Sequence, residues 1–144
     1  MGSPRRVVVA SKNPDKIREV EAVLERTDHP WEIVRGLDWP DVDETESTLE
    51  GNALLKARAV SEATGHAAIA DDTGLEVDAI DGRPGVLSAR FAGQDATYDQ
   101  NVDRLLTELE GIDQRSARFR TAIAFVVPGA EPLIVEGVLE GSIT

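Results

Sequence analysis

Two adjacent carboxylates, Asp71 and Asp72, stand between the apolar runs Ala67-Ala68-Ile69-Ala70 and Leu75 to Ile80. If both runs are strands, the pair sits in a turn at the end of a buried sheet, aimed out of it. Desolvating an unpaired carboxylate is costly or forces it to take up a proton. A bound divalent cation offsets that cost, since hard cations take oxygen ligands. The competing reading is two exposed turn residues, because aspartate is common in turns.

Three further groups extend this chemistry. In Val9-Ala10-Ser11-Lys12-Asn13-Pro14-Asp15-Lys16 a helix start follows a strand end. Free N–H groups and the positive end of the helix dipole make such a place a natural anion site. Ser11 and Asn13 add neutral donors, and Lys16 adds charge in a first turn where the dipole disfavours it. Ordinary capping with two solvated lysines is the alternative, and no Walker A ending is present. Asn52 and Lys56 lie four residues apart and share a helical face. Lys56 can therefore reach across a cleft while its stem packs on apolar surface, or simply stand in solvent. Glu44 is the best placed acid of its loop to complete a metal site with Asp72; otherwise it is one solvated charge among several. For Arg90, in the small apolar segment Ser88-Ala89-Arg90-Phe91-Ala92-Gly93, both an ion pair locking the acidic loop and a ligand contact are open.

The elements that must position these groups read as follows. Arg6 to Ser11 is β-branched and apolar enough for a strand buried on both faces. Asn13-Pro14 opens a helix that carries Ile17, Val20 and Leu24 at helical spacing and runs to about Arg26. Trp31 to Val34 is a short second strand. From Gly36 to Glu50 the chain is acidic and lacks Lys and Arg. Ser47-Thr48-Leu49-Glu50 has the form of a capping box, and the Ala- and Leu-rich run after it is a second helix stopped by Gly65. Asp81-Gly82-Arg83-Pro84-Gly85 is a turn. Tyr98 to Glu110 is a third helix, with Val102, Leu105, Leu106 and Leu109 on one face. Phe119, Thr121, Ile123, Phe125 and Val127 alternate as in a long strand, and Leu133-Ile134-Val135 begins another. Interleaved strands and helices followed by antiparallel-looking pairs predict an α/β domain with a mixed central sheet flanked by helices.

Composition narrows the choice. With 144 residues the chain has the length of one domain. Its net charge of −12 argues against sequence-independent nucleic-acid binding. A small phosphate ligand remains compatible, since local bases and a cation reverse the field within a cleft. The absence of cysteine excludes disulfides, zinc–thiolate sites and thiol nucleophiles. His29 and His66 have neither metal nor triad spacing. No apolar run approaches a membrane span and no signal-peptide core is seen, so a cytoplasmic location is the expectation. Strand ends carrying an anion site, lysines and acids able to hold Mg²⁺ are the equipment of phosphoryl or nucleotidyl chemistry.

Four segments then match one family in order and spacing. They are Ser11-Lys12-Asn13-Pro14-Asp15-Lys16, Leu49-Glu50-Gly51-Asn52-Ala53-Leu54-Leu55-Lys56-Ala57, Ala70-Asp71-Asp72-Thr73-Gly74-Leu75-Glu76-Val77-Asp78 and Pro84-Gly85-Val86-Leu87-Ser88-Ala89-Arg90-Phe91. The chain resembles the Ham1/inosine triphosphatase family of nucleotide pyrophosphatases over essentially its whole length. The resemblance implies a two-lobed α/β fold, a homodimer, a Mg²⁺ requirement, and cleavage of ITP, dITP and XTP to the monophosphate and pyrophosphate. Carried over, Ser11, Lys12, Asn13 and Lys16 match the triphosphate-binding segment, and Lys56 a phosphate-binding lysine. Glu44 matches a metal ligand, Asp72 a metal ligand and general base, Asp71 its auxiliary in coordination, and Thr73 a substrate contact.

Two departures accompany the match. Ser11-Lys12-Asn13 stands where the family usually has Thr-Gly-Asn. The family's Phe-Gly-Tyr-Asp-Pro segment, late lysine and Ser-His-Arg motif are not found before Thr144, so the resemblance implies one domain over 1–144, C-terminally truncated, that keeps the hydrolytic half of the site. A truncated form that binds nucleotide and metal with little turnover is one alternative. A Maf-like pyrophosphatase is another, although Ser3-Pro4-Arg5-Arg6 precedes the first strand instead of following it.

Overall fold

The computed structural model describes residues 5–11, 14–26 and 31–144. Its element order is β1 (Arg5–Val9), α1 (Pro14–Leu24), β2 (Trp31–Ile33), α2 (Leu49–Thr64), β3 (Ala67–Val77), β4 (Arg83–Gly85), α3 (Tyr98–Glu108), β5 (Ser116–Val126) and β6 (Leu133–Ser142). Single 3₁₀ turns lie at Asp78–Ile80 and Ser88–Arg90. The strands form one mixed sheet in the order β2-β1-β3-β5-β6, with β4 added to β3. β1 runs parallel to both β2 and β3, while β3, β5 and β6 are successively antiparallel. The mixed sheet flanked by helices is as read from the sequence.

The main departure concerns Asp71 and Asp72. They do not sit in a turn, because β3 runs unbroken for 11 residues through Asp71-Asp72-Thr73-Gly74. Local turn chemistry is overridden by β5, which pairs with β3 from Ala68 to Val77. On the other edge of β3, β1 pairs as far as Ile69 and β4 only from Leu75. Between them the edge of β3 at residues 70–74 carries no strand among the described residues. That gap exposes backbone that must find side-chain partners. The Asp71 carbonyl accepts from Lys56 Nζ at 2.6 Å, and the Leu75 N–H donates to Ser88 Oγ at 2.8 Å.

Gly74 lies mid-strand for a steric reason. A Cβ there would come within 2.5 Å of the Gly85 carbonyl oxygen, so only glycine lets β4 approach this closely.

Alternation along β3 gives the sheet two differently covered faces. On one, α2 packs Leu49, Ala53 and Ala57 against Ala70, Ala122 and Ala124. Alanine on both sides brings the helix close to the strands. Val60 extends this contact to Val8 and Ala68, beside Trp39. On the other face, Leu105 of α3 and Leu109 at its C-cap pack with Phe91 and Ile80 against Val77 and Ala117.

Helix ends also differ in detail from expectation. The N-cap of α2 is Thr48, whose hydroxyl accepts from the Gly51 N–H at 3.0 Å, and not Ser47. With the cap shifted by one residue, Gly51 occupies the position from which a glutamate would reach back. A Cβ there would lie 2.8 Å from Glu46 Cβ, so the glycine lets the acidic loop fold onto the first turn. α3 carries a capping box from Thr97 and Gln100 that sequence reading did not single out, and ends at Glu108.

Candidate active site

The crevice at the carboxyl end of β1 is a topological switch point. The chain leaves β1 through α1 toward β2, while β3 lies on the other side with α2 on the opposite face of the sheet. Open α/β sheets bind ligands at such places. The strand-free edge of β3 at residues 70–74 opens into the same crevice.

On the α2 face the structure brings together Asp72, Glu44 and Lys56. Lys56 Nζ lies 3.3 Å from Glu44 Oε1 while also donating to the Asp71 carbonyl. Its side chain is only 22 % exposed, so it is not the solvated surface lysine of the alternative reading. Glu44 is held from a second side by Arg90, whose Nη1 stands 3.9 Å from Glu44 Oε2 and whose Nη2 donates to the Glu44 carbonyl at 3.5 Å. Of the two readings open for Arg90, this geometry supplies the ion pair that locks the acidic loop.

Asp72 is the least satisfied group of the cluster. Its Oδ2 is buried and has no hydrogen-bond partner. Burial pushes its carboxyl above the usual carboxylate range, and the charge of Glu44 pushes it further; the Lys56 ammonium and the Asn52 amide pull it down. A buried carboxylate oxygen without a donor, facing a second carboxylate, is a donor set suited to a hard cation. Among the described residues no group of three or more acidic, histidine or cysteine side chains converges on one point. Two carboxylates suffice for a small hard cation that keeps waters and shares substrate phosphates.

Asp71 stands apart from this group. As the neighbour of Asp72 on a continuous strand, it projects from the opposite face. Its Oδ2 accepts from Lys16 Nζ at 2.8 Å, which places it with α1 and away from Glu44. That hydrogen bond is the main cause holding the Lys16 ammonium above its ordinary value, against its own burial. Ser11, Lys16 and Asp71 line a cleft of about 200 Å³ on this face. The first turn of α1 therefore carries its lysine neutralised by a strand carboxylate. Thr73 points to the same face as Asp71, and its hydroxyl is 2.8 Å from that of Thr121 on β5. Lys12 and Asn13 lie outside the described residues.

Two supporting residues were not assigned roles from the sequence. Ser88 bridges β3 and β4, accepting from the Leu75 N–H and donating to the Gly85 carbonyl at 2.6 Å. Asn52, noted only as sharing a face with Lys56, is fully buried. The available signal was an amide beside Ala53, at the edge of the helix face that packs on the sheet.

Comparison with known proteins identifies the family and the fold. The profile of the Ham1 family matches residues 7–144. A dITP/XTP pyrophosphatase of Bacillus licheniformis is 45 % identical over 143 residues, spanning 97 % of this chain and 73 % of the relative. A HAM1 protein from Coxiella burnetii superposes with a TM-score of 0.85 at 38 % identity, over 96 % of this chain and 73 % of that one. A nucleoside-triphosphatase (dITP/XTP pyrophosphatase) from Mycobacterium abscessus gives 0.82 at 42 % identity, over 96 % and 74 %. With the fold, the motif order and the profile all in agreement, the chain belongs to the Ham1 family.

Proposed function

We propose that this protein hydrolyses non-standard purine nucleoside triphosphates, dITP, ITP and XTP, to the monophosphate and pyrophosphate with Mg²⁺ as cofactor. The observation that carries the reading is the buried, unpartnered Oδ2 of Asp72 facing Glu44 and Lys56 at the open edge of β3. The names of the relatives support the substrate class. The match over residues 7–144 sets the Maf-like alternative aside.

In this reading Glu44 and Asp72 would hold the cation, and Asp72 orients a water toward the α-phosphorus and accepts its proton. Oxygen of that water bonds to the α-phosphorus as the bond to the α,β-bridging oxygen breaks, and pyrophosphate leaves with the bond's electron pair. When bound, Mg²⁺ supplies neutralisation of the phosphate oxygens and of the charge that grows on the leaving group. Lys56 adds a fixed positive charge on the same side. Ser11, Lys12, Asn13 and Lys16, at the start of α1, bind the polyphosphate, with Thr73 as a further substrate contact. Asp71 serves by orienting Lys16 and does not join the cation's ligands. Among the described residues no helix is long and apolar enough to cross a membrane. A cytoplasmic homodimer is carried over from the family resemblance, and sedimentation tests the dimer.

Hydrolysis of ITP in ¹⁸O-water with Mg²⁺ is the direct test. The expected result is one ¹⁸O in the inosine monophosphate and none in the pyrophosphate. Label in the pyrophosphate, or release of orthophosphate, overturns the reading. Calorimetric binding of ITP with no product would favour a nucleotide-binding form instead.

A further inference from the structure

The acidic loop that carries Glu44 has no regular secondary structure between residues 37 and 46. It nevertheless has to hold one carboxylate at a set distance from Asp72, which is fixed in the sheet. Lys56 and Arg90 grip Glu44 itself, and one further side chain ties the loop backbone beside it to α2. Asn52, in the first turn of α2, is 0 % exposed. Its Oδ1 accepts from the Glu46 N–H at 3.0 Å, and its Nδ2 donates to the Glu46 carbonyl at 3.3 Å. One amide thus closes a ring with the backbone of a loop residue two positions from Glu44. The same amide is close enough to the Asp72 carboxylate to draw its pKa down.

This geometry uses the side chain's chemistry fully. The carboxamide offers one acceptor oxygen and two N–H donors. Facing an N–H and a carbonyl of Glu46, its orientation is set, since the flipped amide would oppose donor to donor. The second N–H is the donor that remains available to the neighbouring Asp72 carboxylate. Aspartate at this position has no donor, serine is too short to reach both groups, and glutamine places its amide a methylene too far. Gly51 and Ala53, beside it, keep the loop and the sheet near enough for one short side chain to span them.

We propose that Asn52 is a positioning residue that sets the separation of Glu44 and Asp72, and so the affinity of the site for its divalent cation. This rests on the reading of Glu44 and Asp72 as the ligands. Partners outside the ligand set commonly change metal affinity by about 10–100-fold when removed.

The test uses Mn²⁺ as the probe, titrated by electron paramagnetic resonance into the full chain, wild type beside Asn52→Ala, Asn52→Ser and Thr48→Ala. Thr48 caps the same helix turn but touches neither carboxylate, so it reports loss of local stability alone. Asn52→Ala and Asn52→Ser are expected to bind Mn²⁺ about 10–100-fold more weakly, with Thr48→Ala within about twofold of wild type. In pyrophosphate release from ITP, the half-saturating Mg²⁺ concentration rises by the same factor, and kcat recovers at saturating metal. Should Asn52→Ala not fold, the gentler Asn52→Ser carries the test. Equal Mn²⁺ affinity in wild type and the Asn52 variants overturns the positioning role and leaves the proposed function standing. Equal weakening by Thr48→Ala also overturns it, because general loosening of the loop would then account for the effect. Wild-type protein that neither binds Mn²⁺ nor needs a divalent cation brings down the underlying reading itself.

Discussion

Replacing Asp72 by asparagine separates the demands of chemistry from those of folding. Asp72 is half-buried, its Oδ2 has no donor, and the Glu44 carboxylate faces it. An unpaired buried acceptor costs about 1–3 kcal/mol, and partial solvent access takes this to the low end, about 1 kcal/mol. The asparagine side chain keeps the shape, removes the charge and brings a donor. The sign follows from linkage: burial, then Glu44, raise the folded-state carboxyl above its unfolded value. Stability from this group is therefore fully present below the unfolded value and is lost as pH rises through the folded one. In EDTA at neutral pH, Asp72→Asn is expected to be about 1 kcal/mol more stable than wild type to urea. The gap closes as pH falls into the ordinary carboxylate range, where wild type also carries a neutral group. The same variant loses pyrophosphate release from ITP by about 10²–10⁴-fold, the usual range for a positioned acid or base. Lower stability at neutral pH would show Asp72 to be a structural ion-pair partner. Undiminished turnover would remove it from the chemistry.

Other substitutions probe the remaining parts. Asp71→Asn, on the α1 face, is expected to raise the KM for ITP about tenfold by freeing Lys16 from its charge-assisted bond, with half-saturating Mg²⁺ unchanged; a metal shift without a KM change would restore Asp71 to the ligands. Lys56→Met removes the charge between Glu44 and the β3 edge, and kcat/KM for ITP should fall about 10²–10³-fold, measured by steady-state kinetics. Gly74→Ala drives a methyl group into the Gly85 carbonyl and should destabilise by about 1–3 kcal/mol, lowering Tm by several degrees in calorimetry. An unchanged Tm would mean that β4 does not pack on β3 as described.

Much of the framework was legible in the chain because it is encoded locally. The buried valines of β1, the apolar face of α3 and the glycine stop of α2 all follow from periodicity and capping within one element. The mixed sheet follows from their order. The family resemblance marked Asp72, Glu44 and Lys56 as belonging together where spacing left them open, and the structure brings them together on one side of the sheet. Less legible was anything decided by partners far away in sequence. Thr48 takes the cap in place of Ser47 because Glu46 must lie against Gly51.

The pair Asp71-Asp72 shows where the division falls. Residue types alone established two carboxylates, an apolar context and a demand for a cation or a counter-charge. Whether they share a site was beyond local reading, because Asp-Asp-Thr-Gly favours a turn as strongly as a strand. Pairing with β5 over ten residues makes it a strand. On a strand, neighbours point to opposite faces, so one carboxylate meets Glu44 and Lys56 while the other meets Lys16. The tertiary structure set the pair on opposite faces, one acid beside Glu44 and Lys56 and the other against the lysine of the helix start.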